Sequence, residues 1–201
     1  MSNIDLLKLF QSVNSVLQEN QQSLNKADSY NHDHGDHMVD IFSTISDAVK
    51  EKKGKDPAAQ LAYASQLLSK MDSGSAQLYT DGLKQASSQL KGQSLTQQNM
   101  MQLIQAMMGS GEGATGQDPL QSLLGGLLGG GQEGGSDDSG LDAGDLLSAG
   151  LAFMSAKQKG QSNVEALVNA VIAAGPFAET PHRQQSSQLV VKTLLETLAN
   201  R

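Results

Sequence analysis

Apolar side chains recur every three or four residues through most of this chain, the spacing that places them on one face of an α-helix. In the first such segment Leu6, Phe10, Val13 and Leu17 share a face. Aromatic residues make up only 3% of the 201 residues and tryptophan is absent, so the core has to be built from aliphatic side chains and methionine. The usual strand formers are scarce in such a chain, which favours helices. An all-α fold is therefore predicted.

Start and stop signals divide this pattern into about eight helices. Asp56-Pro57 combines a capping side chain with proline at the first helical position. Ser94 followed by Gln97 indicates a capping box, and Gly92 lies where a C-terminal cap belongs. The connections are mostly short, which predicts one antiparallel bundle or barrel over residues 1–201. The apolar stripes predict helices at about 6–17, 38–49, 57–71, 78–90, 94–107, 146–154, 163–172 and 189–198, with a polar loop over about 21–37.

Glycine is concentrated in one part of the chain, where 14 of the 21 glycines lie between Gly109 and Gly150. The segment 109–140 is predicted to be a flexible glycine-rich linker inserted into the helical domain. Within it, 119–128 is a short apolar island. That island is either a weak helix docked on the core or a peptide that binds a partner.

Charge and composition restrict the partners and the compartment. The net charge of −7 disfavours nucleic acid, because an acidic surface repels phosphate backbones. No run of about 18 apolar residues is present, so no membrane span is predicted. The absence of cysteine excludes disulfides and cysteine-ligated zinc. The N-terminal residues lack the basic start and apolar run of a signal peptide, and a cytoplasmic location is expected.

A cluster of histidine and aspartate is the one polar constellation that suggests chemistry. His32, His34 and His37 lie within six residues, and aspartates are interleaved with them. Carboxylates suit Mg²⁺ or Ca²⁺, whereas imidazole suits zinc and the later transition metals. The N–H groups at the start of the following helix favour an anion. The cluster therefore predicts a metal and phosphate site, with solvated loop residues as the alternative.

Two motifs in the first half of the chain resemble those of the dihydroxyacetone (glycerone) kinase L-subunit family, the DhaL domain. The run Asp33-His34-Gly35 and the following Met38 match one family signature. Ser75, Leu78 and Tyr79 match a second, at about the separation that the family shows. The resemblance implies an antiparallel barrel of eight helices. It also implies the phosphotransferase subunit that binds ADP or ATP with Mg²⁺.

The resemblance also implies which residues form the site. The carboxylate-rich loop would hold Mg²⁺, the helix starts would hold phosphates, and a separate K-subunit-like protein would carry the substrate. Asn31 stands where the family has a carboxylate, and the family's later G-D-K-T motif has no counterpart here, so the activity is expected to be weakened or lost. The implied metal ligands are Asp28, Asn31 and Asp33, and the implied nucleotide contacts are His34, Gly74 and Ser75.

Three other interpretations stay open from the sequence. The first is a helical binding or regulatory protein without catalysis. The second is a helical metal-binding protein that uses the His/Asp loop for zinc or nickel. The third is a protein that binds a partner protein through its apolar island. His182 and Arg183 are either nucleotide contacts or, as the sequence favours, solvated residues of a loop before the last helix.

Overall fold

The computed structural model describes residues 4–108, 168–169, 171–172 and 176–199. Every regular element within these ranges is helical, which confirms the predicted all-α class for this part of the chain. Val168, Asn169, Val171 and Ile172 are helical, as the predicted helix at 163–172 requires. The predicted linker at 109–140, with its apolar island, and the predicted helix at 146–154 lie outside the described residues. The described elements are α1 (Leu6–Ala27), α2 (His34–Glu51), α3 (Pro57–Leu68), α4 (Gly74–Gln89), α5 (Gln97–Met107), a short 3-10 helix (Pro176–Ala178) and α6 (Pro181–Ala199).

Neighbouring helices pack against one another in the order of the sequence. The first five helices form successive packed pairs, and α6 packs mainly on α1. Because the turns between them are short, consecutive helices run antiparallel. The start of α6 lies beside the end of α1, so these two helices are antiparallel as well. Within the described ranges, no helix is long and apolar enough to cross a membrane.

The core is built chiefly from aliphatic side chains, with a short row of aromatic rings at its centre. Phe42 of α2 lies 6.3 Å from Phe10 of α1 and 5.1 Å from Tyr79 of α4, measured between ring centroids. Tyr79 in turn lies 5.1 Å from Phe177 of the 3-10 helix. Edge-to-face and tilted rings at these distances attract one another beyond their hydrophobic burial. The few aromatic residues thus connect four elements across the interior.

Two helix pairs approach closely at glycine. A Cβ atom added at Gly35 of α2 would overlap the carbonyl oxygen of Gln21 in α1. A Cβ atom at Gly82 of α4 would lie 2.6 Å from the carbonyl oxygen of Ala106 in α5. Side chains at these two positions would push the helices apart. Both glycines therefore serve packing rather than flexibility.

Several helix limits differ from the predicted ones. Asp5 caps α1, and that helix continues to Ala27, well into the segment predicted as a loop. The capping box of α5 joins Thr96 and Asn99, not Ser94 and Gln97. His34 and His37 lie in the first turn of α2, not in a loop. The last helix begins at Pro181, ahead of the apolar stripe that begins at Leu189.

Candidate functional site

The first turns of three helices meet at one end of the molecule. The Nε2 atom of His34, at the start of α2, lies 2.9 Å from the Oγ atom of Ser186 in α6. The guanidinium of Arg183, in the first turn of α6, lies against Gly74 at the start of α4, where an added Cβ would be 2.9 Å from Nη2. The turn 28–33 closes the same region. We call this region the His34 end.

Asp28 is the buried acid of the His34 end. It follows the last residue of α1 and is only 4% exposed. Its carboxylate accepts a hydrogen bond of 2.9 Å from the backbone N–H of Tyr30 and lies 3.8 Å from Nδ1 of His182. Burial alone would raise the pKa of Asp28, but the Tyr30 N–H and the His182 ring outweigh it and hold the pKa below its usual value. The carboxylate therefore stays ionised and faces His182.

His34 is buried as a neutral ring. It is 4% exposed, and its ring centroid lies 4.6 Å from that of His182. Burial, reinforced by His182 and Arg183 and only partly opposed by Asp28, lowers the pKa of His34 to about 4. At neutral pH one ring nitrogen of His34 donates and the other accepts hydrogen bonds. The contact with Ser186 joins α2 to α6 through this ring.

Arg183 places a cation at the starts of two helices. Its Nη1 atom lies 3.7 Å from the carboxylate of Glu179, which is 68% exposed. Its Nε atom is buried and has no hydrogen-bond partner among the described residues. A helix start carries partial positive charge and favours anions, so a guanidinium there is unfavourable by itself. An anion bound beside Arg183 and the start of α4 would offset the positive charge of the guanidinium and of the helix start.

The three residues implied as Mg²⁺ ligands do not converge. Asp28 is buried and directed toward His182, whereas Asn31 is exposed in the turn. Asp33 lies 3.4 Å from Nδ1 of His37. Among the described residues, no three histidine, aspartate or glutamate side chains are placed to hold a metal ion. In this arrangement the side chains do not fit a site for two Mg²⁺ ions, and their assignment to Mg²⁺ stays a prediction.

The clustered histidines have three different partners. His32 has a left-handed backbone (φ 59°), and its Nδ1 lies 3.3 Å from the carbonyl oxygen of Asn25. His34 is directed inward to Ser186, and His37 is paired with Asp33. A zinc or nickel site needs the ring nitrogens to point at one centre. The described arrangement gives no support to that interpretation of the loop.

The two residues implied as phosphate contacts lie where α4 begins. Ser73 caps this helix, and its hydroxyl accepts a hydrogen bond of 3.4 Å from the N–H of Ala76. Gly74 adjoins Arg183, and Ser75 is 5% exposed. The structure thus brings Gly74, Ser75 and His34 to one end. Asn31 and Asp33 lie in the turn 28–33, before α2.

Sequence reasoning missed the contribution of α6. His182 and Arg183 were expected in a solvated loop, but their side chains are only 20% and 26% exposed in the first turn of that helix. The available signal was Thr180-Pro181, a capping residue followed by proline, the same combination that correctly predicted the start of α3. This signal places the start of α6 at Pro181.

Comparison of the chain with protein-family models gives no match, and comparison with curated proteins and with solved structures gives none either. The all-α class of the described residues is therefore established by the structure itself. The resemblance to dihydroxyacetone kinase L subunits rests on the residues of the two motifs.

Proposed function

We propose that this chain binds a phosphate-bearing ligand at the His34 end, and that the ligand is ADP or ATP, as the L-subunit resemblance implies. In this proposal the phosphates lie beside the guanidinium of Arg183, next to the first turn of α4 at Gly74 and Ser75. The observation that carries the proposal is Arg183, a cation with a buried, unpartnered Nε atom beside a helix start. Guanidinium groups bind phosphate through paired N–H donors.

Electrostatics at the His34 end supports an anionic ligand. The starts of α2, α4 and α6 all carry partial positive charge, and Arg183 adds a full charge. Asp28 is the buried acid nearby, and its carboxylate is already engaged with the Tyr30 N–H and His182. The backbone N–H groups of a helix start are directed at an anion without any rearrangement. The region is thus suited to phosphate even in a chain with a net charge of −7.

We propose binding without phosphoryl transfer. Transfer of a phosphoryl group depends on metal ions that neutralise the developing charge. Asp28, Asn31 and Asp33 do not converge, so Arg183 and the helix starts would neutralise the bound phosphates without Mg²⁺. The chain would then act as a nucleotide-binding or regulatory relative of the L subunit. A K-subunit-like protein is the partner that the resemblance suggests.

The proposal is tested by calorimetric titration of the chain with ADP and with pyrophosphate, each in Mg²⁺ and in EDTA. We expect both ligands to bind in EDTA. Arg183→Met, which keeps an apolar stem and removes the charge, is expected to weaken binding by about tenfold or more, since a hydrogen bond to a charged group contributes about 1.5–3 kcal/mol. Lys192→Met is the matched control, because Lys192 is an exposed cation of α6 paired with Glu196.

Two outcomes would contradict the proposal. If neither ADP nor pyrophosphate binds under either condition, the His34 end is not a phosphate site. If binding requires Mg²⁺ and is abolished by Asp28→Asn, the carboxylates hold a metal and the metal-free arrangement is wrong.

A further inference from the structure

A concave site lies at the opposite end of α1 from the His34 end. It is a cavity of about 230 Å³ formed by the N-terminal residues of α1, the end of α2, the start of α3 and the turn before α5. The 22 residues of α1 separate the two ends by roughly 30 Å at 1.5 Å per residue. The cavity shares no residue with the phosphate site, so a ligand bound in it would be independent of the proposed function.

The lining of this cavity is mixed polar and apolar, and part of its floor is apolar. Leu6, Val49 and Leu95 line it, and each is at most 4% exposed. These side chains come from three different segments of the chain. A hydrogen bond of 2.9 Å from the N–H of Ile4 to the carbonyl oxygen of Leu95 joins two of those segments. The cavity thus has a supported apolar floor that can contact a hydrocarbon body.

The rim of the cavity is basic. The end of α2 and the turn after it carry Lys50, Lys52, Lys53 and Lys55, four of the chain's 14 cationic residues, with Glu51 and Asp56 as the acidic residues of the same segment. Lys53 and Lys55 line the cavity, and neither makes an ion pair within the described part of the chain. Lys52 is engaged elsewhere, 3.7 Å from Glu51 and 4.1 Å from the Tyr63 ring.

The acidic residue of the lining is already engaged in capping. Asp5 also lines the cavity, but its carboxylate accepts hydrogen bonds of 3.0 and 3.4 Å from the backbone N–H groups of Leu7 and Lys8. One capping carboxylate against two lysines leaves the lining with a net positive charge. In a chain with a net charge of −7, this rim is a place where an organic anion can approach.

We propose that this cavity, which we call the Lys53 cavity, binds a small organic carboxylate with an apolar body. The carboxylate lies between the ammonium groups of Lys53 and Lys55, and the apolar body lies on Leu6, Val49 and Leu95. The cavity equals the volume of about eight water molecules at ~30 Å³ each, so the ligand has roughly eight to ten non-hydrogen atoms. Hexanoate and benzoate have this size and charge.

The test uses the full chain, labelled with ¹⁵N and titrated with sodium hexanoate while backbone amide signals are followed. We expect saturable shifts at the amides of Leu7, Gln60 and Leu95 at about millimolar ligand. Lys53→Gln combined with Lys55→Gln is expected to weaken binding by about tenfold or more, as the loss of hydrogen bonds to charged groups predicts. Lys84→Gln, which removes an exposed lysine from the middle of α4, should leave binding unchanged.

Hexylamine provides the discriminating control, because it has a similar apolar body and the opposite charge. It should cause no saturable shift at the same amides. The proposal is overturned if hexanoate fails to saturate these signals, if hexylamine saturates them equally well, or if the double lysine variant binds hexanoate as tightly as the parent. The variants change only exposed lysines, and their unperturbed spectra will show that the fold is retained.

Discussion

At the scale of single residues, the buried histidine at the start of α2 links the stability of the molecule to pH. His34 is 4% exposed, contacts Ser186 through Nε2, and has a pKa lowered to about 4. In the unfolded chain its pKa is about 6.5, so between these values the unfolded state binds a proton that the folded state does not. The contribution of His34 to the free energy of unfolding is therefore fully present above pH 6.5 and is lost as the pH is lowered toward 4.

We expect His34 to account for a loss of about 3 kcal/mol in the free energy of unfolding between pH 7 and pH 4, at 1.36 kcal/mol for each pKa unit. The measurement is urea unfolding at pH 7 and at pH 4, with the parent chain and His34→Gln. The variant should lose much less stability over this interval. Equal losses in the two proteins would show that other groups cause the effect.

Arg183 supports a second prediction at this scale, concerning the ligand-free protein. Its guanidinium lies at the starts of α4 and α6, where a cation opposes the helix dipole. Arg183→Met should therefore raise the free energy of unfolding by about 0.5 kcal/mol at low salt, while Arg183→Lys leaves it close to the parent value. Urea unfolding without phosphate checks this. A large destabilisation by Arg183→Met would mean that the guanidinium already has a favourable partner in the ligand-free protein.

At the scale of helices, close packing at glycine reverses the usual effect of an alanine substitution. Replacing glycine by alanine inside a helix normally stabilises it by about 1 kcal/mol. At Gly82 the added Cβ would lie 2.6 Å from the Ala106 carbonyl oxygen and 2.7 Å from Cα of Met107. Both neighbours are backbone atoms, so α4 and α5 would have to separate.

We expect Gly82→Ala to destabilise the chain by about 1–3 kcal/mol, the usual range for overpacking. Ser88→Ala, at an exposed position of the same helix, should change stability by less than about 0.5 kcal/mol. Thermal or urea unfolding of the two variants makes the comparison. Stabilisation by Gly82→Ala would contradict the described contact between α4 and α5.

The start of α5 allows a comparison between two neighbouring candidate caps, Thr96 and Ser94. Thr96 accepts a hydrogen bond of 3.4 Å from the N–H of Asn99, whose side chain accepts one of 2.7 Å from the N–H of Thr96. Thr96→Ala should cost about 1 kcal/mol, whereas Ser94→Ala should cost less than about 0.5 kcal/mol. The two values from urea unfolding test which residue begins the helix. The reverse order would restore the cap predicted from the sequence.

These elements also show which helix limits can be predicted from residues close by in the sequence. Asp56-Pro57 correctly predicts the start of α3, because a cap and a proline act within one turn. The start of α5 is misplaced by two residues, because a second capping box ending in asparagine competes with the expected one ending in glutamine. The sequence does not predict the continuation of α1 through its polar segment. After Leu17, Leu24 is the one buried apolar residue that continues the buried face of this helix. Periodicity thus predicts that a helix exists better than it predicts where the helix ends.

At the scale of the whole molecule, the candidate site depends on contacts that local patterns do not contain. The spacing of apolar residues is enough for the all-α class, because each helix buries its own stripe. The contact of His34 with Ser186 joins residues 152 positions apart, and that of Gly74 with Arg183 joins the starts of α4 and α6. The sequence resemblance predicts His34, Gly74 and Ser75 as site residues, but for Arg183 it leaves two alternatives, a nucleotide contact or a solvated loop residue. The family resemblance implies carboxylates as the central groups of the site, whereas in the structure the His34 end contains the cation Arg183.

The two proposed sites lie at opposite ends of α1. Phosphate is expected at the His34 end, and an apolar carboxylate at the Lys53 cavity about 30 Å away. Each site carries a cation that lacks a close buried counterion, Arg183 at one end and the pair Lys53 and Lys55 at the other. Anion binding at both ends is therefore compatible with a chain that is acidic as a whole.

The decisive measurement for a phosphate site at the His34 end is a titration with pyrophosphate in EDTA, followed by amide chemical shifts. We predict saturable shifts at Gly74, Ser75 and Arg183, and at His34 and Gly35 at the start of α2, with no comparable shift at Leu95 beside the Lys53 cavity. The Arg183→Met variant should lose these shifts. Unchanged signals at the starts of α4 and α6 during the titration, or equal shifts in the variant, would show that phosphate does not bind there.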